Sequence, residues 1–421
     1  MEKLLTNLKK KIKSSLLLTK IMWTLLIILV YMLGRLIPIT SISLGNSVFD
    51  NVESRALLNQ LALVTGGQYS SMTLFSLGLG PWMTSMILWR FVTIFGMFKK
   101  NTSVKLHYYR MLLTLAVAVL QSYGICATSD FSGVTFWGVT NIGVLRLITM
   151  LTLISGTFIL VWLGDRNSQK GIGGMTVLIL INMIVSFVSS ISTYFSENNF
   201  DLIGFWAQVV IMVCSAVLLI WISVVTYRAE YRIPIQRVSI NSTYAKESYL
   251  PIRLTPAGGM PFMYSMTLMM LPPVIINVLL TFYPNNSHLL YLSQNIALTT
   301  LPGVLIYIFI LYLLSIGFAY YNYDAFEIAK NLRNNGDYIE HVIPGKETQK
   351  FLQRKIWVFA NVGALFMILL GGAPLLLSFG DSSAVNIALS ISNGYIIVSL
   401  IMGIIEQVQT LQMWKQYKDI I

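Results

Sequence analysis

The chain has 421 residues, 55% hydrophobic and only 11% charged, with a mean hydropathy of +0.69. A soluble domain carries roughly 25% charged residues, so this composition excludes a soluble all-α protein and leaves no room for a large soluble domain. The formal net charge of +12 would suggest nucleic acid in a soluble protein, but the placement of the basic residues along this chain points to no nucleic acid and to membrane topology.

Residues 1–20, MEKLLTNLKKKIKSSLLLTK, are basic and amphipathic and lead into a full-length apolar run. This predicts a cytoplasmic, surface-lying segment rather than a cleaved signal peptide. Crossing about 30 Å of hydrocarbon takes about 20 mostly apolar residues. Windows of that kind predict ten spans near 21–39, 78–97, 107–127, 144–164, 172–193, 202–226, 257–282, 301–321, 356–379 and 386–405. The predicted fold class is therefore an all-α polytopic membrane protein. An external segment at 196–201 divides the spans five and five, into an N-terminal half at 21–195 and a C-terminal half at 202–405, followed by a tail at 406–421. An odd number per half makes the halves insert in opposite orientation, the arithmetic of an inverted repeat with a functional path along its interface.

One stretch breaks the pattern. Residues 66–89 read GGQYSSMTLFSLGLGPWMTSMILW. A short Ser/Thr-rich half-helix over 63–76 runs into Gly78-Leu79-Gly80-Pro81, and only then does a span begin. A re-entrant half-helix is tolerable in a membrane only where protein or water covers its backbone, so it implies a cavity.

The basic residues fix the direction of the spans. Apart from Arg55 in an external loop and Arg35, Arg90 and Arg146 within spans, all of the 29 Lys and Arg residues fall in the N-terminal segment, the alternate loops (with Arg110 at the adjoining span edge) or the C-terminal tail. This asymmetry predicts both termini in the cytoplasm. It also turns the basic residues toward anionic lipid and cytoplasmic partners. Arg35 and Arg146 lie near external ends and can snorkel, whereas Arg90 lies deeper and is expected to face a wet interior. Two cytoplasmic loops, 227–256 and 322–355, are longer than the rest, as a docking surface requires. The second has a helical start and a Gly/Pro centre.

Catalytic constellations are absent, and the chain is not expected to be an enzyme. His107, His288 and His341 are scattered and form no His-Glu-x-x-His pair, so no metal and no cofactor is expected. No Asp or Glu falls inside a span, which counts against ion-coupled carriers. Ile343-Pro344-Gly345-Lys346-Glu347-Thr348 resembles a phosphate loop only in part, because the first glycine and the preceding strand are missing. Cys126 and Cys214 both lie in apolar runs and are expected to be buried free thiols. The alternative from another class is an inverted-repeat small-molecule transporter, which would need polar ligating groups near the midplane that the spans hardly supply. An intramembrane protease lacks its catalytic residues.

Several stretches, in order and covering almost the whole chain, resemble the SecY family of protein-conducting channels. Residues 66–89 resemble the family's plug followed by its gate-lining second helix. LHYYRMLLTLAVAVLQSYGI resembles the third span, and WLGDRNSQKGIGG the turn that opens the fifth. YRIPIQ and LPIRLTPAGGMPFMYSMTLMMLP resemble the loop and gate helix of the seventh. NYDAFEIAKNLRNNGDYIEHVIPGKET resembles the large cytoplasmic loop before the ninth, and EQVQTL closes the tenth. The resemblance implies two five-helix halves opening like a clamshell around an hourglass pore, with a lateral gate toward lipid between the second and seventh spans. An extended preprotein would thread the pore. A SecA-type motor ATPase or a ribosome would dock on the cytoplasmic loops, and a small SecE-like membrane subunit would brace the hinge.

Carried over residue by residue, the family's pore ring falls on Met83, Ile87, Met175, Ile179, Met263 and Ile396. All are apolar, and an apolar ring resists wetting while unbranched Met adapts to passing side chains. The plug falls on Gly66, Gly67, Tyr69, Ser70, Ser71, Met72, Thr73 and Phe75, with its hinge at Gly78, Gly80 and Pro81. The lateral gate falls on Met86, Arg90, Thr255, Met260 and Met266, and the motor-docking face on Arg232, Arg237, Lys246, Arg333, Ile343 and Lys346. Departures cluster on the last two groups. The family usually has Arg where Ile343 stands, Gln where Arg90 stands and a different polar residue at Thr255. The Asn of its GIGNG turn has no counterpart, and the tip of the earlier loop, SINSTYAKESY, is not Arg-rich. The chain thus resembles the SecY of the accessory Sec system of Gram-positive bacteria more than a housekeeping SecY. That resemblance implies a dedicated motor, accessory Sec proteins as partners, and serine-rich glycosylated adhesins as cargo.

Overall fold

The computed structural model describes residues 16–39, 73–94, 103–128, 141–197, 202–237, 248–269, 272–273, 275–276, 279, 287–296, 298, 300–378 and 382–418. In chain order its helices are α1 (Leu16–Arg35), α2 (Gly80–Ile94), α3 (Ser103–Thr128), α4 (Ile142–Lys170), α5 (Gly174–Glu197), α6 (Leu202–Arg228), α7 (Met260–Met269), α8 (Ser287–Asn295), α9 (Leu301–Asn322), α10 (Ala325–Asn335), α11 (Lys346–Met367), α12 (Ala373–Leu377) and α13 (Ser382–Lys418). Strands β1 (Glu230–Arg237), β2 (Tyr249–Arg253) and β3 (Asp337–Ile339) lie between α6 and α7 and after α10. The ten predicted spans correspond to α1–α7, α9, α11 and α13. Seven described helices are long and apolar enough to cross a membrane.

The surface is inverted relative to a soluble protein. On α1, Thr24, Ile27 and Tyr31 are buried, while Met22, Leu25, Leu26, Leu29 and Leu33 are exposed. Lipid tails are as apolar as leucine, so leucine gains little by turning inward. Close packing and hydrogen bonding decide the inner face instead. Buried Thr84, Ser85, Thr114, Thr149 and Thr157 follow the same rule, each hydroxyl bonded to a carbonyl or another hydroxyl.

Packing groups the chain into two compact units. The first holds residues 1–199, 266–300 and 400–421, the second 200–265 and 301–399. Helices α7 and α13 each run from one unit into the other. Within the first, α2 packs on α3, α3 on α4, α4 on α5, and α1 lies across α4 and α5. Within the second, α9 and α10 both pack on α11. Between α11 and α12 the helix widens to a π-turn at Ile368–Gly372, where Gly371 and Gly372 let Phe262 and Ile308 approach the backbone.

One expectation is corrected. Cys126 is buried, but Cys214 is exposed. It lies on α6, whose outward face is almost uncovered by protein and carries Val210, Val213, Val217 and Trp221. The two long loops share a small sheet, in which β1 pairs antiparallel with β2 and with β3, giving the order β2-β1-β3.

Candidate functional site

The approach to α2 is built into the first unit. Gly66, Gly67, Tyr69, Ser70, Ser71 and Met72 lie outside the described residues, whereas Thr73 and Phe75 are buried. Thr73 bridges Pro38, and the Leu74 amide donates to the Ile37 carbonyl at 3.0 Å. Two turns follow, closed by Ser76 N–H to Thr73 O and Gly78 N–H to Phe75 O, both 2.9 Å. Gly78 sits at φ +59°, a left-handed conformation that glycine adopts at no steric cost. Phe75 stacks on Tyr31 of α1, centroids 6.0 Å apart, and the Tyr31 hydroxyl donates to Asn182 of α5 at 3.4 Å. Leu77 enters a cluster with Ala118, Cys126, Leu145 and Leu153. Gly80 and Pro81, both buried, then start α2.

Met83 and Ile87, four residues apart, share one face of α2 and are 0% and 2% exposed. Part-buried Met86 lies beside them, and the Arg90 side chain lies outside the described residues. The opposite flank is tied to α3 by a 2.7 Å bond between the Ser85 and Thr114 hydroxyls. Thr267, in the part of α7 that belongs to this unit, donates to the Met83 sulfur at 3.7 Å. Met266 beside it is buried.

Met175 and Ile179 form the matching pair on α5, both buried, with the Met175 sulfur laid on Gly164 of α4. The turn before α5 is stitched by side chains. Asn167 donates to the Ile172 and Gly174 carbonyls at 3.0 and 2.8 Å. The Ile172 amide donates to Thr24 at 2.9 Å, and the Gly173 amide to Gln407 of α13 at 2.8 Å. Gly173 and Gly174 take φ +72° and +53°. Sequence reasoning missed Asn167 and Thr24, although Asn167 lies inside the quoted WLGDRNSQKGIGG. Gln407 had a visible signal in EQVQTL.

In the second unit, a turn closed by Gly258 N–H to Thr255 O at 3.0 Å begins α7. Thr255 and Met263 are buried, while Met260 is 37% exposed. The Gly259 amide donates to Ser399 of α13 at 2.9 Å, which brings α7 against the turn of α13 carrying fully buried Ile396. Phe262 packs edge-on to Tyr395 with centroids 5.6 Å apart.

The two long loops form one body. Ile233, Ile235 and Ile252 of the sheet pack with Ala329 and Leu332 of α10 and with Leu352 and Ile356 of α11. Strand β1 alternates buried and exposed residues at its end, as a half-covered strand must. Arg232, Arg237, Arg333, Ile343 and Lys346 are exposed on this body, and Lys246 lies outside the described residues. Arg232 pairs with Glu230 at 2.8 Å and lies over Tyr249 at 4.6 Å. The Glu230 hydrogen bond pushes its pKa, already high, further up. Ile343 is 73% exposed, and its carbonyl accepts from Thr348 at 2.9 Å, fixing the turn. Among the described residues no group of His, Cys, Asp and Glu could hold a metal ion.

A polytopic helical protein with apolar, buried pairs on α2 and α5 invites comparison with known proteins. The SecY family profile matches residues 73–405. An accessory Sec system protein translocase subunit SecY2 from Streptococcus parasanguinis is 50% identical over 421 residues, 99% of this chain and 100% of that protein. One of the same description from Leuconostoc gelidum subsp. gasicomitatum is 37% identical over 402 residues, 94% and 95% of the two chains. A solved structure described as a protein-conducting channel superposes with a TM-score of 0.64 at 14% identity, covering 94% of this chain and 93% of that one. Sec61 in the canine ribosome–channel complex superposes with a TM-score of 0.58 at the same identity and coverage. The structures show a shared fold, the relatives share the sequence end to end, and the profile spans most of the chain: it belongs to the SecY family.

Proposed function

We propose that the chain is the channel subunit of an accessory Sec translocase, passing unfolded polypeptide across the bacterial plasma membrane. The observation that carries this reading is its end-to-end likeness, at 50% identity, to a subunit described as part of that system. The chain is a conduit rather than a catalyst, and a SecA-type motor supplies the energy. Both termini face the cytoplasm, as the distribution of Lys and Arg requires. Residues 21–195 and 202–405 act as two inverted five-helix halves hinged at 196–201.

In this reading Met83, Ile87, Met175, Ile179, Met263 and Ile396 form the constriction. Their burial and apolar character support it, since such a ring excludes ions yet yields to varied side chains. Gly66–Met72 supplies the moving part of the plug, and Thr73 and Phe75 are its buried root. Met86, Arg90, Thr255, Met260 and Met266 line the gate toward lipid, and the bond from Thr267 to Met83 supports an α2–α7 contact there. The body formed by the two long loops receives the motor through Arg232, Arg237, Lys246, Arg333, Ile343 and Lys346. Exposed Ile343, where an arginine is usual, suits a dedicated motor. A SecE-like subunit, accessory Sec proteins, anionic lipid and a serine-rich glycosylated adhesin complete the set of partners.

Deletion of the gene tests the reading. Export of a small set of large surface proteins should stop while general secretion continues. A deletion strain that exports every surface protein normally would contradict it. Ile343→Arg should let the housekeeping motor drive some export of the same cargo.

A further inference from the structure

We infer that Thr73–Leu79 is a fixed stem, held by Gly34 and Gly156 as positioning residues, so that any excursion of the plug begins before Thr73 and not at Gly78–Pro81. The inference rests on the plug reading for its meaning, but its geometry stands alone.

Four independent contacts hold the stem. Its start is paired to the end of α1 through the Pro38–Thr73 bridge and the Leu74–Ile37 bond. The Phe75 ring lies where a Cβ on Gly34 would be, stacked on Tyr31. The Leu74 carbonyl lies where a Cβ on Gly156 of α4 would be. Leu77 sits between α3 and α4. Phe75, Ser76, Leu77 and Leu79 are all at most 3% exposed. A hinge works by changing its backbone angles, and a turn enclosed in a packed interior cannot do so without emptying its seats. Gly78 is therefore the corner of a rigid turn. Its positive φ sets the chain direction into α2, and Gly80-Pro81 merely opens the helix. The two seats are specific to glycine because main chain and an aromatic ring occupy the space that any side chain would need.

A disulfide tests this. Thr73 and Pro38 oppose one another in a bridge flanked by, rather than made of, the Leu74–Ile37 hydrogen bond, the close type of antiparallel pair. P38C/T73C in a C126A/C214A background is oxidised with copper phenanthroline, and export of the cognate preprotein by membranes holding the full translocase is measured before and after reduction. Undiminished export from the locked protein is expected. Export lost on oxidation and regained on reduction would overturn the inference. A second measurement covers a variant that folds poorly: Leu77→Cys should stay closed to a maleimide during transit, and labelling that appears only while a chain is translocating would also overturn it. Replacing residues 63–72 with a Gly/Ser linker tests the plug reading separately. Without a rise in ion leak the plug reading fails, whatever the locked stem does.

Discussion

The turns that lead into α2 and α5 do the same job by opposite means. Each delivers a helix whose first turns carry two buried apolar residues four apart, Met83 and Ile87 on one, Met175 and Ile179 on the other. The α5 turn is stitched by polar side chains: Asn167, Thr24 and Gln407 satisfy its main-chain groups. The α2 turn satisfies most of its own groups and is held by shape, with one ring over Gly34, one carbonyl over Gly156 and Leu77 in the core. A polar stitch fails when a partner is deleted, because a buried group is left unpaired. A shaped seat fails when it is filled, because close-packed surroundings have nowhere to go.

That contrast orders the expected effects. Gly156→Val drives a branched side chain into a main-chain carbonyl, and should cost about 3 kcal/mol, the upper end for overpacking. Thermal unfolding in detergent should show it together with export too low to measure. Asn167→Ala removes a fully buried side chain together with its bonds to two carbonyls, for a loss of about 2 kcal/mol. Gln407→Leu removes one bond to the Gly173 amide that is open to water, and should cost about 1 kcal/mol, the net worth of a single hydrogen bond. If Asn167→Ala proves harmless and Gly156→Val mild, the distinction between stitch and seat is wrong. The smallest effect is expected at the α2–α7 contact. Thr267→Val removes a hydroxyl–thioether bond worth about 0.6 kcal/mol, the average for polar contacts between membrane helices. Stability should hardly change, while ion conductance of the resting channel rises slightly if that bond helps keep α7 on α2.

The same contrast explains what the sequence could reveal. Spans are written in long apolar runs, and α3, α4, α6 and α9 lie within a few residues of the predicted windows. The proposed ring positions rest on motif resemblance alone, since Met83 and Met175 have no composition signature of their own. The α11 helix begins at Lys346, ten residues before the predicted span at 356, because its first turns are polar and pack on α10 outside any apolar window. Strands β1 and β2 were hidden in a loop, although Ile233, Ile235 and Ile252 carry the period-two alternation of buried strands. Gly34 and Gly156 could not have been singled out. Glycine is common in membrane helices, and only the partner across the contact, far away in sequence, marks these two. Cys214 misled because an apolar run in a membrane protein can face lipid as readily as protein.

The most direct test of the central claim is to halt a secretory chain midway and ask what surrounds it. A cognate preprotein with a bulky C-terminal domain, driven by its motor and carrying single thiol-reactive probes, is stalled in membranes containing M83C or M263C, with L29C on the outward face of α1 as control. The account predicts efficient crosslinks at positions 83 and 263, dependent on ATP, and none at 29. Crosslinks equal at all three positions, or absent from 83 and 263 while export proceeds, would contradict it.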